Sequence, residues 1–221
     1  MDVDAILGRC ESALEEEGPV DLGALGFWKA VAALKRDHHL VARYGSRVAA
    51  IDERAFSRWV RVRLPIGIGI GAMLLVTVGG LVAVSIAYYV DDPWNGIWVL
   101  VGTGMLLAST HTLAHYVVGR IVGIRFTHWF IGNTPQPGVK IDYASYLATP
   151  PRARAWMHAS GALVTKLVPF LNIGAAWGSH SPAWTMWLLL LLGMVMVATD
   201  VFLSTKHSDW KKFKREMRYA G

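Results

Sequence analysis

Two stretches, Leu64 to Val90 and Pro93 to Gly119, each run for 27 residues without an Asp, Glu, Lys or Arg. About 20 apolar residues suffice to cross a hydrocarbon core of roughly 30 Å as a helix, so both are expected to be membrane spans. A third candidate runs from about Trp156 to Trp177 with one charge, Lys166, and a fourth from about Trp184 to Leu203 with one, Asp200. The composition agrees: of 221 residues 53% are apolar and 17% charged, with a mean hydropathy of +0.35, against about 25% charged in soluble domains. A disordered chain, a collagen and a disulfide scaffold are excluded, because the 22 Gly have no period, Pro numbers 9 and Cys10 stands alone. The first apolar run follows about sixty residues of mixed charge, which reads as a retained span rather than a signal peptide.

The basic residues set the expected orientation. Ten Lys and Arg precede the first span, Arg120, Arg125, Lys140, Arg152 and Arg154 lie between the second and third, and six occupy the tail. The loops around Asp91-Asp92 and Ser179-His180-Ser181 carry none. The positive-inside rule then puts both termini in the cytoplasm and the chain in an inner or plasma membrane. Topology accounts for the net charge of +6, so the lipid bilayer is the expected partner and nucleic acid is not.

The expected fold class is an all-α membrane protein with four transmembrane helices and a small cytoplasmic β-hairpin. Residues 1–63 read as a cytoplasmic helical region, with helical spacing over Ala24–Lys35 and Leu40–Trp59 that suits either the headgroup layer or packing on the loop below. Residues 64–205 form the membrane domain, with spans at about 64–90, 94–118, 156–177 and 184–203 and a cytoplasmic loop over 120–155. Within that loop, residues 124–131 and 139–143 alternate as two short strands around a turn rich in Gly, Asn and Pro. Residues 206–221 are a basic cytoplasmic tail.

Inside the second span, Thr110-His111-Thr112-Leu113-Ala114-His115 puts two imidazoles four residues apart, one turn from each other on one helix face. The spacing suits chelation of one transition metal. It also suits two histidines satisfied by interhelical hydrogen bonds or water, although ionisable groups inside a bilayer are rare and usually functional. A metal with two His needs at least a third ligand, and Asp200 is the single carboxylate within the spans, roughly as far as His115 from the basic boundary. Lys166 offers Asp200 another use. Its side chain reaches toward the cytoplasmic end, and an ion pair would satisfy both groups while leaving Asp200 an oxygen for a metal. His158, at similar depth, is a further ligand, a proton carrier or an interfacial residue.

The run HTLAHYVVGRIVGIRFTHWFIG resembles the start of the intramembrane site-2 metalloproteases, whose HExxH helix leads into a Gly-containing turn and cytoplasmic strands. TPPRARAWMHASGALVTKLVPF is similar to that family's basic segment entering an AGPxxN-type helix. Thr199-Asp200-Val201, followed by Ser208-Asp209-Trp210-Lys211-Lys212, resembles the helix of the third ligand with its basic exit. The likeness spans about residues 105–215. It implies zinc held by His111, His115 and Asp200, in a site-2-protease-like core. Two departures bear on activity: Thr112 stands where the general-base Glu belongs, and Ala162 and Thr165 replace the Pro and Asn of AGPxxN, followed by Lys166. Loss of a general base costs about 10²–10⁴ in rate, and Asp142, His128 and His158 are the conceivable substitutes.

The resulting expectation is a degenerate metalloprotease homologue that binds a metal, a membrane-protein partner, or both, taking an extended peptide on a strand edge, with peptidase activity lost or reduced. The alternatives are an active zinc-dependent hydrolase with a substitute base, and a structural or haem-binding subunit in which His111 or His115 pairs with His158.

Overall fold

A computed structural model of the chain describes residues 1–16, 18–132, 137–202 and 208–220. Among them are four helices long and apolar enough to cross a membrane. These are α4 (Ile66–Ile86), α5 (Trp94–Ile121), α7 (Pro151–Gly178) and α8 (Ala183–Phe202). Their outward faces carry large apolar side chains, among them Leu75 at 75%, Leu171 at 70% and Trp187 at 68% exposure, a surface compatible with lipid rather than water.

The helices approach through small residues. A Cβ on Gly102 of α5 would fall within 2.6 Å of the Gly80 carbonyl of α4, so the two backbones cross where neither has a side chain. One turn or two further on, the Thr77 hydroxyl meets that of Ser109 at 2.8 Å. At the other end of α5, the Asn95 amide donates to the carbonyls of Ser179 and His180, both at 3.3 Å, and ties α5 to the α7–α8 turn.

The remaining elements gather at one end of the bundle. The sheet there has three antiparallel strands rather than the two of a hairpin. They are β1 (Val62–Pro65), β2 (Phe126–Ile131) and β3 (Pro137–Ile141), in that order. β1 is the short run before the first span, whose Val62 and Leu64 alternate with Arg61 and Arg63. In register it sets Arg63 opposite Phe130 and Leu64 opposite Trp129. Four residues that include an arginine and a proline, with another arginine just before them, carry too little period to separate from a charged approach to the membrane. The sheet leans on α4, where a Cβ on Gly69 would collide with the Trp129 side chain.

Residues before the first span pack on one another and on the following loop. Helices α1 (Val3–Ala13), α2 (Phe27–Leu34) and α3 (His38–Trp59) enclose Leu7, Cys10, Phe27, Leu34, Val48 and Ile51, together with Leu147. Leu147 belongs to α6 (Tyr143–Ala148), a helix that Asp142 caps by accepting from the Ala144 amide at 3.1 Å. Arg47 clamps this unit with two bonds to Glu11, at 3.0 and 2.7 Å. α7 begins at Pro151, five residues before the expected start, because proline in the first turn sacrifices no helical hydrogen bond.

The tail is not free. Helix α9 (Asp209–Met217) lies on α7, and its Glu216 carboxylate is fully buried. Arg154 of α7, 2% exposed, donates through Nε to one oxygen at 2.9 Å, while its Nη1 donates to the carbonyls of Leu147 and Thr149. Lys35, just past α2, pairs with the other oxygen. Burial lowers the Lys35 pKa and the carboxylate only partly restores it, so the positive charge there depends on Glu216. Glu216→Gln should therefore leave two buried cations short of an anion and cost about 3–5 kcal/mol. Chemical unfolding should register that loss, with amides of α9 the first to exchange.

Candidate metal centre

Facing positions on α5 and α7 run antiparallel in steps of one helical turn. Gly119 lies by Met157, His115 by Gly161 and His111 by Thr165. A Cβ on Gly161 would overlap the His115 ring, so glycine there lets the imidazole lie against the α7 backbone. This fixes both tautomers. His115 Nδ1–H donates to the Met157 carbonyl at 2.7 Å. The Thr165 hydroxyl spends its proton on the Gly161 carbonyl at 2.7 Å, so at 2.8 Å it accepts from His111 Nδ1–H. Each neutral ring is left with a bare Nε2 lone pair.

Those two nitrogens stand 3.2 Å apart, and the third atom at the same point is Oδ2 of Asp209, 3.1 Å from His115 Nε2 and 3.3 Å from His111 Nε2. Lys212 binds the other oxygen of Asp209 at 2.9 Å and leaves Oδ2 as the single inward donor. Burial opposes ionisation of Asp209, but a proton carried on Nε2 of the imidazoles and shared with Oδ2, together with the Lys212 ammonium, outweighs it and holds its pKa well below the carboxylate range. With both Nδ1 atoms committed and both rings neutral, three lone pairs converge with no proton between them. Lone pairs meeting this closely call for an electrophile between them, either a proton on one ring or a metal ion. A tetrahedral ion with bonds of about 2.0–2.1 Å spaces its ligands roughly 3.3–3.4 Å apart. The observed triangle fits it, and these three residues form a group able to hold a metal.

Asp209 takes the third place that the sequence reading assigned to Asp200. Asp200 of α8 is paired instead with Lys166 of α7, whose ammonium also donates to the Ala162 carbonyl at 3.1 Å. The distinction is one of geometry. Asp200 is held by Lys166, the residue after Thr165, whereas the first turn of α9 lies on the imidazoles. Asp209 carried a local signal, since Ser208-Asp209 is a helix start, with Ser208 accepting from the Lys211 amide and an acid in the first turn. Nothing in that signal says which surface the helix will meet.

His158 is buried and belongs to a different contact. Burial keeps the Tyr146 phenol protonated, and its hydroxyl shares a hydrogen bond with His158 Nε2 at 2.9 Å. Thr112, 1% exposed, donates to the Pro137 carbonyl at 2.8 Å, so the position after the first histidine tethers strand β3 instead of facing the centre with an acid. Asp142 is held by Arg125 at 2.9 Å, and His128 lies 3.5 Å from Glu53. The centre opens on a cavity of about 570 Å³ bounded by β3 and by Thr165, Lys166 and Asp200. A larger cavity of about 980 Å³ lies between the N-terminal helices and the sheet, but its buried ion pair, Lys140 with Asp52, is already complete.

No family model, curated protein or solved structure matches this chain.

The two aspartates separate by substitution. Asp209→Asn should weaken binding of a divalent ion by about 10–100-fold or more, and Asp200→Asn should leave it within about threefold, as read by competition with a chromogenic chelator.

Proposed function

We propose that this chain is a membrane protein of the site-2 protease type that holds a divalent ion, zinc by its ligand chemistry, between His111, His115 and Asp209. In this reading it binds a peptide or membrane-protein partner, and peptide hydrolysis is lost or much reduced. The observation that carries it is the convergence of two tautomer-fixed Nε2 atoms and one carboxylate oxygen within 3.1–3.3 Å of one another. Donors of type N, N and O at tetrahedral spacing suit zinc. An ion held there would supply Lewis acidity. On the positive-inside rule this end of the bundle, with both termini, faces the cytoplasm of an inner or plasma membrane.

What the chain's own residues add is binding and restraint. β3 has one neighbour in the sheet, β2, and borders the cavity with Pro137, Gly138, Val139 and Ile141. An extended peptide laid on its open edge would run past the centre. The Thr112 hydroxyl accepts no proton from a nucleophile at neutral pH, and its bond to Pro137 holds it away. A second reading, a hydrolase with a substitute base, is favoured by one feature: Asp200 and Lys166 line the same cavity as the histidines. The haem reading lacks support, because His158 Nε2 is taken by Tyr146.

Protein purified without chelators should contain about one zinc per chain by elemental analysis, and His111→Ala or Asp209→Ala should abolish it. Metal-free wild type would overturn the proposal. In parallel, transmembrane peptides are expected to remain intact with the wild type and to be cleaved by Thr112→Glu; zinc-dependent cleavage by the wild type would instead select the hydrolase.

A further inference from the structure

A cavity of about 340 Å³ lies between the α2–α3 turn, the start of α7 and the residues that follow α9. The described residues that line it include Lys35, Arg36, Arg152 and Arg154 and no carboxylate. Glu216 beneath them is consumed by Lys35 and Arg154. Arg36 and Arg152 are exposed and take part in none of the ion pairs among the described residues. The neighbouring Asp37 is spent on capping α3, where it accepts from the His39 amide at 2.8 Å, and does not reach the cavity.

The start of α7 intensifies the imbalance. Pro150 and Pro151 line the cavity and lead into a 28-residue helix with no side-chain cap and no acid in its first turn. Helix N-termini carry a partial positive charge and free N–H groups, and arginines placed there oppose the dipole. Here Arg152 and Arg154 occupy that turn together. Arg154 adds an independent sign of a missing partner: its residue is 2% exposed, yet Nη2 is buried without a hydrogen bond. Three sources of positive potential thus meet at a cavity with no carboxylate among its described lining residues: an uncapped helix end, two surface guanidinium groups and one buried guanidinium whose Nη2 is left over from its pairing with Glu216.

We propose that this cavity is a phosphate-binding site, in which Arg36, Arg152 and the backbone amides of Arg152 and Ala153 at the start of α7 grip a phosphate group over the field of Arg154. Arginine forks and helix N-termini are the two commonest means of holding that group. Trp156, 55% exposed and one turn further along α7, sets the cavity beside the lipid-facing surface. The phosphate can therefore come from an anionic lipid headgroup or from solution. The site does not depend on the metal reading, since it shares no residue with the histidine centre.

The test uses full-length protein in detergent. Native mass spectrometry after incubation with equal amounts of phosphatidylglycerol and phosphatidylcholine should show one phosphatidylglycerol selectively retained if a headgroup is the source. A rise in unfolding temperature on titrating inorganic phosphate, without added lipid, would identify free phosphate. In the arm that responds, Arg36→Gln/Arg152→Gln should weaken binding about ten- to thirty-fold. The control Lys29→Gln/Arg43→Gln, on exposed cations outside the cavity, should change it less than about threefold. Response in neither arm, or equal loss in the control, overturns the site.

Discussion

The carboxylate of Glu216 is the contact on which three parts of the molecule depend. Lys35 comes from the N-terminal helices, Arg154 from the start of a membrane-length helix, and Glu216 from the last helix of the chain, and all three are buried together. None of these charges is tolerable alone, since an unpaired ion out of water costs several kcal/mol. The three elements are therefore held as a set. Arg154 extends the set through its bonds to the carbonyls of Leu147 and Thr149, which would otherwise be unsatisfied at the end of α6. Lys35 and Arg154 also sit over the Tyr146 ring, at 5.1 and 5.4 Å, and so use the face of an aromatic as a further counter-surface.

The histidine centre follows from this anchoring. Two of its three converging side chains are built into one rigid helix and oriented from the next by Thr165 and the Met157 carbonyl. The third arrives on a separate helix whose position the ionic contact maintains. A site of this construction is organised on one side and assembled on the other. The ring tautomers are set within α5 and α7 alone, and Asp209 adds the negative charge that two neutral nitrogens lack.

Much of this was legible in the sequence, in proportion to how local the cause was. The spans announce themselves through uninterrupted apolar length. The facing of His111 and His115 follows from a four-residue interval, and the pairing of Lys166 with Asp200 from side-chain reach. Asp209 lies beyond what the spans disclose, because the helix that bears it turns back from outside them. β1 was missed because its partner is sixty-odd residues away and its own period covers only Val62 and Leu64. Thr112 reads as a lost acid from sequence alone. Its new role, a tether to Pro137, needs the strand to be in place.

The helix α9 makes both of its decisive contacts with carboxylates, Asp209 at one seat and Glu216 at the other. They are seven positions apart, and at about 100° per residue they point in nearly the same direction. The helix is thereby indexed at two points, like a key with two teeth. Insertion or deletion of a single residue between them would swing one tooth about 100° out of line with its lock, so neither ligand nor anchor can be kept in register at the expense of the other.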